Sequence, residues 1–249
     1  MKKLMIIILL SCLVFGLTAV AWAAESSTAT TVYLDAFTGK YNSNEDQDYF
    51  SSPDTYIKRE ANLSGVILGL ESQMNNQFQL ALEYGQVNTN DLEKTIKGGS
   101  NTKIGKCDYT LSEIKGGYRV IDLNSFKLDV IMSALNIDMK KPTDGFGPVS
   151  NLSGNMFGAD LVCNFSDKVS IQGTIASSLL GSYIYNGNYT DDLTAKEYKL
   201  KFNYFITDNW ALTLGYRDYQ FSGKFSDNVY KDKLDINLSG ATIGVKYKF

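Results

Sequence analysis

Apolar and polar side chains alternate residue by residue through most of this chain. From Tyr198 to Tyr204 every second side chain is aromatic or aliphatic, and Lys199, Lys201 and Asn203 stand between them. A period of two places the apolar residues on one face of a β-strand and the polar residues on the other. The 16 Tyr and 13 Phe, set against only 3 Pro, fit the same structure because aromatic side chains pack well on pleated surfaces. The pattern predicts an all-β chain.

The connections between the alternating stretches follow a rule of their own. The sequence predicts ten strands, at 31–41, 59–73, 77–87, 106–121, 125–139, 152–165, 168–185, 194–206, 209–223 and 233–249. Connections after the even strands are tight, and those after the odd strands are long and polar. All three prolines lie in the long connections. This layout predicts an antiparallel up-and-down transmembrane β-barrel of about ten strands, with eight as the alternative count. An even count places both termini on the periplasmic side.

Periodicity alone does not decide which face of each strand meets water. A soluble β-sandwich buries its apolar face, whereas an outer-membrane barrel turns that face to lipid. The end of the chain favours the barrel, because Ile243, Val245, Tyr247 and Phe249 share one apolar face and the chain stops on the aromatic residue. This ending resembles the C-terminal assembly signal of bacterial outer-membrane proteins. The stretch from Tyr204 to Arg217 also resembles a strand-turn-strand unit of the small OmpA-like and opacity-like barrels.

The resemblance implies a location and several partners. It implies an integral barrel of the Gram-negative outer membrane, surrounded by outer-membrane lipids and lipopolysaccharide. It further implies that the barrel-assembly machinery recognises the last strand through Phe249 and Tyr247, supported by Val245 and Ile243. No cofactor is implied.

One segment departs from the alternation of the last strand. Leu234, Ile236 and Leu238 are apolar in the opposite phase to the stretch from Ala241 to Phe249. Two explanations are open. Either a β-bulge near Ser239-Gly240 shifts the phase, or the upper part of this hairpin projects above the bilayer.

The first residues predict an export signal. Met1-Lys2-Lys3 is a basic start, Leu4 to Val20 is mostly apolar, and Ala21-Trp22-Ala23 is a small-x-small cleavage site. Cleavage after Ala23 leaves a single barrel domain of residues 24–249. A lipoprotein site at Cys12 is the competing interpretation. Removing Lys2 and Lys3 lowers the basic count from 24 to 22 against 27 acidic residues, so the net charge moves from −3 to −5 and nucleic acid is excluded as a partner.

Charged residues occupy the face of the strands that would line the lumen. This inward set balances eight basic against seven acidic side chains. The residues are Glu83, Glu113, Lys115, Arg119, Lys127, Asp129, Asp160, Glu197, Lys199, Lys201 and Arg217, with Asp35, Glu71, Lys246 and Lys248. Because an unpaired charge in a low-dielectric tube is costly, the sequence predicts a salt-bridged network that plugs a narrow lumen. The alternative is a narrow porin-like channel for small solutes, although the balanced charges provide no ring of a single sign.

The chain contains no histidine, which removes most enzymatic chemistry. Imidazole-based nucleophile activation and imidazole-ligated zinc are excluded. The outer-membrane proteases with ten strands resemble this chain in architecture, but that family relies on an Asp-His pair. We therefore expect no catalytic residue and no metal site.

Clustered acids and aromatics mark the first long connection. Glu45, Asp46 and Asp48 lie beside Tyr49 and Phe50 in the stretch predicted as a loop at 42–58. These five residues are candidates for contact with an unidentified surface ligand. Alternatives are a solvated loop face and oxygen ligation of Ca²⁺, although the glycine and distant glutamate of an EF-hand loop are missing. The sequence thus predicts a structural or surface-interaction barrel that acts through its outside loops.

Overall fold

The barrel closes through its first and last strands. The computed structural model describes residues 29–49, 55–96, 99, 101–140, 151–185, 188–190, 193–226 and 230–249. Its ten long strands are β1 Thr30–Tyr49, β2 Thr55–Gln73, β3 Phe78–Thr89, β6 Asp108–Leu123, β7 Phe126–Lys140, β8 Asn151–Ser166, β9 Val169–Tyr185, β11 Leu193–Phe205, β12 Trp210–Ser226 and β13 Tyr230–Lys248. Three short strands accompany them: β4 Glu93–Ile96, β5 Thr102–Lys103 and β10 Asn188–Thr190. Since β1 pairs with both β2 and β13, the sheet has no open edge there. The expected all-β antiparallel barrel of ten strands is confirmed.

The described part of the chain contains no helix that is long and apolar enough to cross a membrane.

The tight turns lie where the sequence predicts them, and short polar side chains hold them. At the turn after β2, Asn75 Oδ1 accepts hydrogen bonds from the backbone N–H groups of Gln77 and Phe78, both at 2.8 Å. At the turn after β11, Thr207 Oγ1 accepts one from the N–H of Trp210 at 3.0 Å. These bonds replace ladder bonds at the point where the chain reverses, so the strands end there.

The first hairpin is longer than the sequence predicts. The predicted loop at 42–58 is wrong, because β1 continues to Tyr49 and β2 already begins at Thr55. The two strands pair in register from Thr30↔Ser72 to Gln47↔Thr55. The segment is polar on its outward side and therefore resembles a loop in sequence, yet its backbone groups are satisfied by the antiparallel ladder.

The barrel consists of two halves with opposite side-chain polarity. In the half beside the tight turns, apolar side chains point outward, and Ile243, Met132 and Leu214 are exposed to 66%, 65% and 57%. In the half beside the long connections, apolar side chains point inward, and Ile236 and Ile137 are each exposed to only 1%. We call these the turn-side half and the loop-side half. The first has the inverted polarity of a membrane barrel and the second the polarity of a water-soluble one.

The last strand shows how the sequence encodes this change. Leu234, Ile236 and Leu238 point inward, whereas Ile243 and Val245 point outward. The ladder from β13 to β1 runs without a register shift from Tyr230 to Lys248. The β-bulge near Ser239-Gly240 is therefore wrong, since the backbone phase is constant and only the placement of apolar residues changes. The second explanation remains, namely that the upper part of this hairpin lies beyond the apolar band.

A ring of polar residues separates the two halves on the outside. We define the polar collar as the first outward residue beyond the outward apolar band in each long strand. Its members are Thr38, Ser64, Gln86, Ser112, Asn136, Asn155, Ser177, Lys196, Asp218 and Ser239. On β13 the band runs from Ala241 to Phe249, which is about 20 Å along the barrel axis at about 3.3 Å per residue and a tilt of about 40°. Such a height is close to that of a hydrocarbon layer.

Candidate functional site: the closed interior

A layer of buried charges fills the lumen of the turn-side half. Lys199 lies at its centre, on β11, with its side chain only 11% exposed. Its ammonium group is 2.9 Å from Glu83 Oε2 and 2.5 Å from Glu113 Oε2, and it also contacts Glu197 Oε1. The three carboxylates come from β3, β6 and β11, so one lysine ties the opposite walls of the barrel together across the lumen.

Arg217 on β12 extends the layer towards the first strand. Its guanidinium binds Glu83 through two hydrogen bonds, Nη1 to Oε2 at 2.7 Å and Nη2 to Oε1 at 3.1 Å. Its Nη2 also lies 3.5 Å from Asp35 Oδ2. Asp35 is further held by Lys201 at 3.0 Å and by the hydroxyl of Thr213 at 2.8 Å. Paired planar contacts of this kind fix geometry as well as charge.

A tyrosine packs beneath these pairs. The hydroxyl of Tyr33 donates a hydrogen bond to Glu83 Oε1, and Lys201 Nζ lies 3.7 Å from the centre of the Tyr33 ring. The ring rests on the backbone of β2 at Gly69, where an added Cβ would stand 2.0 Å from the ring. Glycine is therefore required at this position for the tyrosine to reach the charged layer.

Three further ion pairs surround the centre. Lys115 Nζ is 2.7 Å from Asp160 Oδ2, and Lys246 Nζ is 2.9 Å from Glu71 Oε2. Nearer the turns, Arg119 donates to both oxygens of Asp129, at 2.8 and 3.1 Å. Most of the sequence-predicted lumen charges thus meet in pairs, inside the barrel and across strands.

Two members of the predicted inward set lie at the rim instead. Lys127 is 34% exposed and reaches Asp122 at 3.7 Å, beside the turn that joins β6 to β7. Lys248 is exposed at the end of β13. Both lie within two residues of a strand end, where water reaches the side chain.

Little space is left inside the layer. A cavity of about 20 Å³ lies between Glu71, Glu83, Lys115, Lys199 and Lys201. This volume is comparable to the space that a single water molecule needs. The described side chains therefore leave room for a trapped water there and not for a solute.

Apolar packing closes the lumen of the loop-side half. The largest buried side chains there come from every part of the wall. They include Tyr41, Leu63, Leu92, Tyr109, Leu135, Ile137, Leu152, Met156 and Phe221. Tyr41 and Tyr109 meet with ring centres 5.5 Å apart. Leu92, which lies between β3 and β4 and is fully buried, brings part of the long connection into this core. Two different fillings, ionic and apolar, therefore lie one above the other.

Glu45, one of the acidic residues predicted in the first connection as a surface contact, is buried instead. Glu45 points inward, is 1% exposed and pairs with Arg59 at 2.6 Å, whereas Asp46 points outward and is exposed. Strand alternation separates these neighbours onto opposite faces of the wall. Asp48 and Tyr49 belong to β1, their side chains lie outside the described set, and Phe50 lies outside the described residues. Among the described residues, no group of three acidic, cysteine or histidine side chains is arranged to hold a metal ion.

The predicted assembly-signal residues lie on the outer surface of β13 at the turn end. Ile243, Val245 and Phe249 are exposed to 66%, 41% and 51%. Tyr247 stands between Trp210 and Phe249, with ring centres 4.8 Å away on each side. These three rings form an aromatic cluster at one edge of the apolar band, as an aromatic girdle does.

Sequence reasoning missed the apolar core of the loop-side half and the buried Arg59–Glu45 pair. The signal was present in Leu234, Ile236 and Leu238, whose phase is opposite to that of the last nine residues. The same reversal in the other strands would have revealed a second zone. Tyr33 was missed because an aromatic residue among lumen charges carries no distinct pattern.

Comparison with known proteins extends to the fold alone. No family model matches the chain, and no curated protein matches it. The crystal structure of the outer membrane protease OmpT from Escherichia coli matches with a TM-score of 0.56 and 9% identity, over 88% of this chain and 97% of that one. The outer membrane protein OprG from Pseudomonas aeruginosa gives a TM-score of 0.46 and 12% identity, over 89% and 95% of the two chains. The first of these matches shows that the chain shares the closed-barrel fold of an outer-membrane protein.

Proposed function

We propose that this chain is an integral barrel of the bacterial outer membrane with a closed interior, which acts as a structural or surface-interaction protein through its loop-side half. The observation that carries the proposal is the double filling of the lumen. An ion-pair layer around Lys199 and Arg217 lies below an apolar core around Tyr41 and Leu135. A solute would have to displace both.

The outward surface supports the membrane location. Large apolar side chains of the turn-side half are exposed, among them Leu200 at 56% and Ile175 at 63%. Such a band is costly in water and suits the hydrocarbon layer. The predicted export signal at residues 1–23, with cleavage after Ala23, supports the same location. Sequencing the amino terminus of the mature protein checks this site: a start at Ala24 is expected, and a lipid-modified Cys12 contradicts it.

Catalysis is not part of the proposal. The Escherichia coli structure with the same fold is that of a protease. The Asp-His chemistry implied by the resemblance to ten-strand outer-membrane proteases has no counterpart here, since the chain lacks histidine. The surface partner, whatever its chemistry, would meet the long connections and the outward face of the loop-side half.

Two measurements on purified protein test the proposal. Folded barrels migrate differently on a detergent gel before and after boiling, so heat-modifiable migration is expected after refolding into lipid vesicles; its absence contradicts a membrane barrel. Vesicles that carry the folded protein should then not swell in isotonic solutions of small sugars. Swelling faster than in protein-free vesicles would favour the alternative, a narrow porin-like channel. A general porin in the same lipid is the positive control.

A further inference from the structure

The polar collar has an unusual composition for a chain rich in charge. Eight of its ten residues are Ser, Thr, Asn or Gln, and the remaining two, Lys196 and Asp218, have opposite signs. Charged residues make up 20% of the chain. They appear on the outward face mainly farther from the band, where Lys58 pairs with Glu60 at 2.9 Å and Lys233 with Asp235 at 3.0 Å. The collar is therefore a neutral hydrogen-bonding ring between an apolar band and a charged zone.

The depth of the collar follows from its neighbours. Tyr84, Tyr198 and Tyr216 are the last outward residues of the apolar band on β3, β11 and β12, directly below the collar. Tyrosines at the edge of such a band mark the boundary between hydrocarbon and headgroups. Gln86 of the collar donates a hydrogen bond to the hydroxyl of Tyr84 at 3.2 Å, so the collar is in direct contact with the tyrosine on β3. If the band spans the bilayer, the collar lies among the headgroups of the outer leaflet.

The chemistry of the collar favours one kind of headgroup. Phosphates are bound by Lys and Arg, whose charge and N–H groups match anionic oxygens. Neutral amides and hydroxyls offer both donors and acceptors without charge, and this pairing suits the hydroxyl groups of sugars. With Lys196 as its one cation, set against Asp218, the collar provides little attraction for phosphate.

We infer that the polar collar binds the sugar hydroxyls of glycolipid headgroups in the outer leaflet, through amides such as Gln86, Asn136 and Asn155. The inference rests on the proposed membrane location. It assigns the lipid contact to neutral hydrogen bonding, so the barrel should be stabilised by a sugar headgroup more than by an anionic one.

The test uses the full mature chain refolded into three kinds of vesicle. These are phosphatidylcholine alone, phosphatidylcholine with diglucosyl diacylglycerol, and phosphatidylcholine with phosphatidylglycerol. The measured quantity is the temperature at which half of the folded gel band converts to the unfolded band. The glycolipid should raise this temperature by about 3 °C or more, and phosphatidylglycerol should not. An equal or larger rise with phosphatidylglycerol overturns the inference.

A triple substitution locates the effect. Gln86→Ala, Asn136→Ala and Asn155→Ala together should abolish the glycolipid-dependent rise. The matched control removes three amides farther from the band, Asn42→Ala, Asn44→Ala and Asn88→Ala, and should retain it. Loss in both variants, or in neither, contradicts binding at the collar. A chain that folds without any glycolipid effect refutes the inference alone, whereas a chain that shows no heat-modifiable band refutes the membrane location itself.

Discussion

At the scale of single residues, the folded barrel depends on charged side chains that are almost completely shielded from bulk water. Glu113 and Glu197 have side chains only 2% and 0% exposed, and both rely on Lys199. Breaking a buried ion pair by removing one partner costs more than the pair contributes, because the remaining charge stays in a low-dielectric interior. Removing Lys199 should therefore lower the free energy of unfolding by more than the ion pairs of Lys199 themselves contribute.

Replacing Lys199 by methionine should destabilise the folded barrel strongly. Lys199→Met leaves Glu83, Glu113 and Glu197 without their shared cation, and a loss of about 3–5 kcal/mol is expected. The measurement is urea unfolding in lipid vesicles, followed by tryptophan fluorescence. The control is Lys224→Met at an exposed outward site, which should change the unfolding free energy by less than about 0.5 kcal/mol. Equal effects of the two substitutions would contradict a buried network.

Alanine substitutions at two glycines of the turn-side half provide a closely matched comparison. An added Cβ at Gly69 would stand 2.0 Å from the Tyr33 ring, whereas one at Gly116 would meet nothing within 4 Å. Gly69→Ala should therefore cost about 1–3 kcal/mol, because the ring must leave its place beneath the charged layer. Gly116→Ala should be neutral or slightly stabilising. The same urea titration checks both, and a neutral Gly69→Ala would show that Tyr33 does not pack there.

At the scale of strands, the sequence predicts most of what is seen. The tight turns at Asn75 and Thr207 carry side chains that bond the reversing backbone, so their positions are readable locally. The first hairpin differs from the predicted loop because Glu45 and Asp46, read from sequence alone, resemble neighbouring acidic residues of a loop. Their separation onto two faces depends on pairing with β2, and the buried partner Arg59 lies fourteen residues away. Such partners follow from register, which one strand alone does not encode.

The phase reversal on β13 can be read by chemical labelling. In a variant with Cys107 and Cys163 replaced by alanine, single cysteines are introduced at Lys233, Ile236 or Ile243. A membrane-impermeant maleimide should label the first and not the second, since Lys233 is exposed and Ile236 is buried. The cysteine at position 243 should react only after lipid is replaced by detergent and urea. Labelling at 236 in the folded barrel would contradict the inward-facing apolar core.

The role of the last strand in assembly is a separate prediction. Phe249→Ala should slow folding into vesicles that contain purified barrel-assembly machinery, because the resemblance assigns recognition to this residue. Phe165→Ala removes another outward aromatic residue, 67% exposed, without touching β13. Gel-shift kinetics with and without the machinery measure both. Equal slowing of the two variants, or slowing without the machinery, would contradict recognition through Phe249.

At the scale of the whole molecule, the two halves of the barrel have opposite side-chain polarity. The turn-side half carries the apolar band outside and the ion pairs inside, and the loop-side half reverses both. Alternation predicts strands but not which half an apolar residue belongs to, since the inside of one half resembles the outside of the other. The sequence therefore supplied the barrel and the charged lumen, while the apolar closure emerged only from the fold. In the proposed closed barrel, both fillings would have to be displaced before the lumen could conduct.

Single-channel recording shows whether the interior of the folded barrel is closed. The folded wild-type barrel, reconstituted in a planar lipid bilayer with symmetric potassium chloride, should give no stable conductance steps. Steps that are stable in the wild type, and whose ion selectivity changes in Lys199→Met or Glu83→Gln, would contradict a closed interior and establish a channel through the charged layer.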